Sequence, residues 1–284
     1  MTVTSGPKLP SPTWFVGCGN MGRAIIDGWR AAAVDLSNVV VIRPSGAEVP
    51  GVRTVKAFAE AGVPPKLVVL GFKPQKLDEV GGQLKSWLTS KTTVVSMLAG
   101  VEVDSLRARF PNAGAIVRIM PNLPVAVRRG VVGLFSKDAD DALLDQLGDA
   151  FSTLGFAMWM ADEAKLAALG SVAGAGPAYV ARFIAALAKA GEQRGLTPEI
   201  AVTIARETVF GTAWMAATSG ETMDEIVRRV ASPNGTTEAG LAILDRDDVL
   251  DQLIAVTIDA AARRGGELAE EAKSSKLASE PSLH

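Results

Sequence analysis

Short apolar runs recur through residues 13–159, spaced so that a helix fits between most neighbours. The runs are Trp14-Phe15-Val16, Val39-Val40-Val41-Ile42, Leu67-Val68-Val69-Leu70, Thr93-Val94-Val95, Ala115-Ile116-Val117, Val131-Val132-Gly133-Leu134-Phe135 and Phe156-Ala157-Met158-Trp159. Strands that are apolar at every position are covered on both faces. Alternation of such strands with helices predicts a mostly parallel sheet between two helical layers. Past residue 160 the pattern changes. Met223, Ile226, Val227 and Val230 follow i, i+3, i+4, i+7 spacing, and Leu250, Leu253, Ile254 and Ile258 nearly do so. Both sets predict amphipathic helices. Thr197-Pro198 reads as an N-cap followed by proline in the first helical position. The second half is therefore expected to be all α. Its alanine-rich stretches, 181–190 and 213–217, suit close packing against helices of a second subunit.

The first strand runs directly into Gly17-Cys18-Gly19-Asn20-Met21-Gly22, and a helical pattern follows over 23–33. In that setting Gly17 permits a tight turn, Gly19 lets the backbone approach a pyrophosphate, and Gly22 lets the helix pack on the strand. The free N–H groups of the helix start then face the phosphates, with Asn20 and Met21 at that start. This predicts an NAD(P)-binding Rossmann domain, with a ligand-free glycine turn as the other reading. Cys18 is read as a small filler inside the turn.

The second strand bears on the choice of cofactor. An acid there would hold the ribose hydroxyls of NAD. The strand instead ends in Arg43-Pro44-Ser45, with no acid. Arg43 and Ser45 can hold a 2′-phosphate, since guanidinium donors match phosphate geometry. NADPH is expected, with NADH as second choice; Arg43 as an ordinary solvated residue is the competing reading. Lys73-Pro74 and Met97-Leu98-Ala99 follow later strands and are candidate cofactor walls, because ligands of open parallel sheets bind at carboxyl ends of strands. Downstream, Ser232-Pro233-Asn234-Gly235-Thr236-Thr237 leads into a helical run. Its free N–H groups and threonine hydroxyls suit a carboxylate, and they equally suit a plain helix cap.

Composition narrows the chemistry. The 284 residues include one histidine, His284, and one tyrosine, Tyr179. That removes histidine-dependent hydrolases and zinc proteases, and leaves Thr, Lys, a carboxylate or water to assist the reaction. A single cysteine rules out an internal disulfide or a multi-cysteine metal site, and no metal is expected. A net charge of −2 without a basic cluster argues against nucleic acid. No stretch is read as a membrane span or signal peptide, and a cytoplasmic location is expected.

The glycine turn, Lys73-Pro74, Met120-Pro121-Asn122, Gly176-Pro177-Ala178-Tyr179 and Ser232-Pro233-Asn234-Gly235-Thr236-Thr237 occur in this order. Together they resemble the pyrroline-5-carboxylate reductase family over nearly the whole chain. The C-terminal motif, closed by Ala239-Gly240-Leu241 and Leu244-Asp245, is the most specific part. The resemblance implies a Rossmann domain at 13–162 and a helical dimerisation and substrate domain at 163–272; by composition, residues 1–12 read as a disordered lead-in and 273–284 as a polar tail. It implies reduction of a cyclic imine to proline with NADPH or NADH, by a dimer or dimer-based higher oligomer. The imine carboxylate would lie on Ser232, Asn234, Gly235, Thr236 and Thr237, with Thr237 near the imine nitrogen as the catalytic residue. Asn122 joins the cofactor set. Reduction of an already protonated imine needs no strong protein acid, which fits a chain without an internal histidine. The chain departs from the family at Ala173 and Ala175, where serines are usual, at Asn234, where glycine is usual, and at Leu123, where threonine is usual. Lys189-Ala190-Gly191 replaces a common Asp-Gly-Gly, and an asparagine before the Leu67 strand is missing. A reductase of another cyclic imino acid, and a non-catalytic dinucleotide sensor, are the alternatives.

Overall fold

The computed structural model describes residues 7–277. Among these, eight strands form one sheet: β1 (Thr13–Val16), β2 (Val39–Ile42), β3 (Arg53–Val55), β4 (Leu67–Leu70), β5 (Thr93–Ser96), β6 (Ala115–Pro121), β7 (Gly130–Ser136) and β8 (Gly155–Trp159). Their order is β3-β2-β1-β4-β5-β6-β7-β8. All neighbours pair in parallel except β6 and β7, which are antiparallel. The helices between them are α1 (Asn20–Ala31), α2 (Phe58–Ala61), α3 (Leu77–Leu84), α4 (Val103–Arg109) and α5 (Asp141–Ser152). All seven runs read from the sequence are strands. The additional one, β3, is three residues long at the sheet edge and buries only Val55, too little to leave an apolar run.

β1, β2, β4 and β5 are buried at every position, including the polar Thr13, Thr93 and Ser96 at the ends of β1 and β5. Alternate side chains enter two cores. Phe15, Val41, Val69 and Val95 meet Ile25, Trp29 and Phe151 on one face. Trp14, Val40, Val68 and Val94 meet Leu84, Leu106 and Phe110 on the other. Each such side chain contributes about 1.5–3 kcal/mol on burial. Trp29 also satisfies its indole N–H, which donates to the Ala150 carbonyl at 2.9 Å.

The expected lead-in is shorter than the sequence suggests. Leu9 is buried in the first core, and the Pro12 carbonyl accepts from the amides of Lys66 and Leu67. One apolar side chain and two backbone bonds suffice to attach this segment to the sheet. Residues 1–6 of that lead-in, and 278–284 of the expected tail, lie outside the described residues.

The chain divides into two compact units, one running to Ala175 and resuming at Ala261, the other Gly176–Ala260. The first includes α6 (Glu163–Leu169) and a π-helical turn, Gly170–Gly174. The second holds α7 (Gly176–Glu192), α8 (Pro198–Ser219), α9 (Met223–Val230), α10 (Thr236–Leu244) and the start of α11 (Val249–Leu277). α8 begins as expected: the Thr197 hydroxyl accepts from the Ile200 amide, with Pro198 in the first turn. α9 opens with a capping box between Thr222 and Glu225. Ala188 packs against Ala201 and Ala205, small residues that let α7 and α8 approach closely.

Residues 163–192 correct one expectation. By length and composition this helical run is apolar enough to cross a membrane. Its alanines together with Leu, Val, Ile and Phe make it so, and its small residues also suit a helix that packs against other helices.

Candidate cofactor and substrate sites

The sheet reverses its direction of winding at β1, which pairs with β2 on one side and β4 on the other. Ligands of open α/β sheets sit outside the carboxyl ends of the strands at such a point. Both strands end there in glycine. Gly17 adopts φ +76°, and a Cβ on it would lie 2.9 Å from the Gly71 carbonyl oxygen. A Cβ on Gly71 would lie 2.8 Å from the Gly17 oxygen. In the sequence Gly71 opens the loop Gly71-Phe72-Lys73-Pro74-Gln75, a candidate cofactor wall; its packing against Gly17 comes from the structure.

The turn then opens outward. A Cβ on Gly19 would meet no atom within 4 Å, so the backbone is bare on the side a phosphate would approach. Gly19 is the N-cap of α1, and no side chain caps it. The first-turn amides at Asn20, Met21 and Gly22 therefore carry the positive end of the helix dipole without an internal anion. A Cβ on Gly22 would lie 3.3 Å from the Cys18 sulfur. Cys18 is 7% exposed. Burial pushes its thiol above the ordinary range, against the opposing pull of the Arg43 and Arg23 guanidiniums. The residue acts as filler, and Arg43 stands close enough to be felt inside the turn.

Arg43, Pro44 and Ser45 follow β2 as a tight turn in which the Gly46 amide donates to the Arg43 carbonyl at 2.9 Å. Pro44 and Ser45 are exposed and Arg43 half-buried. Lys73 is exposed and caps a 3-10 turn, Pro74–Lys76, after β4. Met97 is half-buried and Ala99 exposed after β5. Leu98 turns inward, 2% exposed, and its side chain belongs to the core. The carboxyl ends of β1, β2, β4 and β5 thus bring the glycine turn, Arg43, Ser45, Lys73, Met97 and Ala99 to one edge of one sheet. These residues fit a phosphorylated dinucleotide: an open glycine, an uncapped helix start, and cations with no acid at the end of β2.

Asn122 is placed differently. Its side-chain oxygen accepts from the Val131 amide at 2.8 Å, and its amide nitrogen donates to the Ala173 carbonyl at 3.1 Å. Both ends of the amide are engaged within the protein, fastening the β6–β7 turn to the π-helical segment. Nearby, the Arg118 guanidinium donates to Glu163 at 2.7 Å, and Glu163 also accepts from the Val103 amide. This pair borders a cleft of about 850 Å³ that starts at Ala99 and Gly100 and passes Met120 and Ser171.

The loop 232–237 belongs to the second compact unit. The Gly235 amide donates to the Ser232 carbonyl at 3.0 Å, and Asn234 takes φ +58°. Gly235 is the N-cap of α10, with no side chain capping it. Thr236 and Thr237 occupy its first turn, and Ser232 and Asn234 are exposed. The Asn234 amide donates to the Glu238 carboxylate at 2.6 Å. A backbone N–H of this loop therefore already grips a carboxylate.

Fold and turn together define a nicotinamide-dinucleotide oxidoreductase with an added helical domain. A family profile described as NADP oxidoreductase, coenzyme F420-dependent, matches residues 14–100, and one described as pyrroline-5-carboxylate reductase dimerisation matches residues 163–268. The chain is 36% identical over 264 residues to a pyrroline-5-carboxylate reductase of Pseudomonas aeruginosa, covering 90% of this chain and 96% of that one. It is 31% identical to the pyrroline-5-carboxylate reductase of Pisum sativum, over 89% and 94% of the two chains. The solved pyrroline-5-carboxylate reductase of Coxiella burnetii superposes with a TM-score of 0.83 at 31% identity, covering 92% of this chain and 99% of that one. The protein belongs to the pyrroline-5-carboxylate reductase family.

Proposed function

We propose that this protein reduces 1-pyrroline-5-carboxylate to proline with NADPH, in the cytoplasm, as a dimer or dimer-based higher oligomer. The observation that carries the reading is the uncapped start of α10. There the Asn234 amide holds the chain's own Glu238 carboxylate at 2.6 Å, which supports this loop as one that can bind a carboxylate oxygen, and Thr236 and Thr237 open the helix. Residues 13–162 form the cofactor half and 163–272 the substrate and pairing half. Gly17, Gly19, Asn20, Met21 and Gly22 receive the pyrophosphate. Arg43 and Ser45, on the turn shaped by Pro44, receive the 2′-phosphate. Lys73, Pro74, Met97 and Ala99 line the cofactor, Leu98 contributes backbone only because its side chain is buried in the core, and Asn122 keeps the adjoining turn in place. When bound, NADPH supplies the hydride. Ser232, Asn234, Gly235 and Thr236 hold the substrate carboxylate. Thr237 hydrogen-bonds the nitrogen as the C=N bond becomes a single bond, and the nitrogen retains the proton it carried as an imine. No protein acid has to deliver a proton.

Self-association is supported by the apolar side chains of the helical unit. Phe183, Phe210, Trp214 and Leu253 are each at least half exposed in the single chain. An array of this kind marks an interaction surface. Light scattering should find no stable, active monomer.

A second reading, reduction of a different cyclic imino acid, draws on Ala173, Ala175, Asn234 and Leu123, all departures from the usual family residues. Steady-state NADPH oxidation with a panel of five- and six-membered cyclic imino acids separates the two. Pyrroline-5-carboxylate should give the highest kcat/KM. Another imine with the higher value would favour the second reading. NADPH binding without oxidation by any imine would make the protein a sensor.

A further inference from the structure

We propose that Lys56 is a second cation for the adenosine 2′-phosphate, and so a determinant of NADPH over NADH. The inference rests on the reading that the protein binds NADPH. β2 and β3 pair in parallel with Ile42 opposite Val55, and the Arg43 amide donates to the Val55 carbonyl at 2.9 Å. One residue further on, Arg43 and Lys56 leave neighbouring strands at the same carboxyl edge. The turn after β2 is built around the Lys56 side chain. Gly46 takes φ +64°, and a Cβ there would lie 2.5 Å from the Lys56 Cε and 3.3 Å from its Cγ. The lysine stem therefore lies across the turn that contains Arg43 and Ser45. Glycine at 46 provides both the left-handed conformation and the space for that stem.

The electrostatics of the edge call for an anion. Among the described residues, neither Arg43 nor Lys56 takes part in an ion pair with a carboxylate. The acid at hand, Glu60, accepts from the Lys56 backbone amide at 3.5 Å, and the Glu60 carbonyl accepts from Arg53. Like charges on adjacent strands repel. A phosphate dianion between them turns that cost into two charge-assisted hydrogen bonds. Ser45 adds a hydroxyl: its oxygen accepts from the Ala47 amide at 3.4 Å, which leaves its own proton to donate. Arg43 and Ser45 belong to the turn that the Lys56 stem crosses, so one turn carries guanidinium, ammonium and hydroxyl, the donor set that a 2′-phosphate takes and a plain ribose does not use. β3 leaves so faint a trace in the apolar pattern that Lys56 draws no attention from sequence alone.

The test uses calorimetric titration of the full-length protein with 2′,5′-ADP, 5′-AMP and NAD+, without any imine. Lys56→Ala should raise the Kd of 2′,5′-ADP about tenfold, as expected for loss of one charge-assisted bond, and leave 5′-AMP and NAD+ unchanged. Lys56→Arg should stay within about threefold of wild type, because it keeps the charge. Lys56 is exposed, so the core is untouched, and matching thermal melts would verify folding. Equal weakening of all three ligands, or no weakening of any, would overturn the proposal. Wild-type protein that binds 2′,5′-ADP no more tightly than 5′-AMP would overturn it as well. Those results leave imine reduction intact, since the substrate assays test that separately.

Discussion

The backbones of Gly17 and Gly71 approach so closely that a Cβ on either residue would lie within 3 Å of the other's carbonyl oxygen. They are the residues that follow β1 and β4, at the carboxyl edge where the strand order reverses. Gly71→Ala should push the Gly17 turn away from β4. Overpacking of this kind costs about 1–3 kcal/mol. The expected result is a lower denaturant midpoint and weaker binding of NADPH and NADH alike, read by urea titration and by fluorescence. Wild-type stability together with wild-type affinity would show that the close approach has no consequence.

Arg43→Ala should raise KM for NADPH and leave KM for NADH nearly unchanged. The end of β2 carries no acid for ribose hydroxyls, and the guanidinium there lies close enough to act on Cys18. Loss of a charge-assisted phosphate contact costs about 1.5–3 kcal/mol. Steady-state kinetics with both cofactors decide the matter: equal effects would remove Arg43 from phosphate recognition.

Thr237→Ala should lower turnover while NADPH affinity stays intact. Thr237 sits in the first turn of α10, away in sequence from every cofactor loop. General acid–base groups contribute about 10²–10⁴-fold, and a hydroxyl that orients a pre-protonated imine belongs at or below the low end of that range. Thr237→Ser should retain much of the activity. If Thr237→Ala turned over at the wild-type rate, the residue would be a helix-start residue with no part in the chemistry.

Cys18 should resist alkylation. Burial disfavours the thiolate and raises the thiol above its ordinary value, so less thiolate is present at any given pH than in the unfolded chain. Maleimide should label the native protein slowly at neutral pH and the urea-unfolded protein quickly. The native rate should climb only once the pH passes the ordinary thiol range. Rapid stoichiometric labelling of the native form at neutral pH would contradict the filler role.

Much of this molecule was legible along the chain for identifiable reasons. Strands buried on both faces are mostly apolar, so β1, β2, β4 and β5 each carry an apolar run, with only Thr13, Thr93 and Ser96 polar at their ends. A turn that needs positive φ and an open backbone must use glycine, so Gly17 and Gly19 stand out before any fold is known. The helix starts at Thr197-Pro198 and Ser232–Thr237 are local too, because the groups that terminate a helix lie within a few residues of its first turn.

What the tertiary structure alone decided depends on partners distant in sequence. Gly71 lies against Gly17 only because β4 pairs with β1. Arg43 and Lys56 become neighbours only through the β2–β3 register, and β3 is too short and exposed to reveal itself. Asn122 looks like a ligand-binding amide beside a proline, yet both ends of its side chain are engaged by Val131 and Ala173. Leu9 looks like part of a loose lead-in, yet it is buried in the core. A residue type states which bonds a side chain is able to make; strand order and register determine which partner comes within 3–4 Å of it, roughly the reach of a hydrogen bond or van der Waals contact.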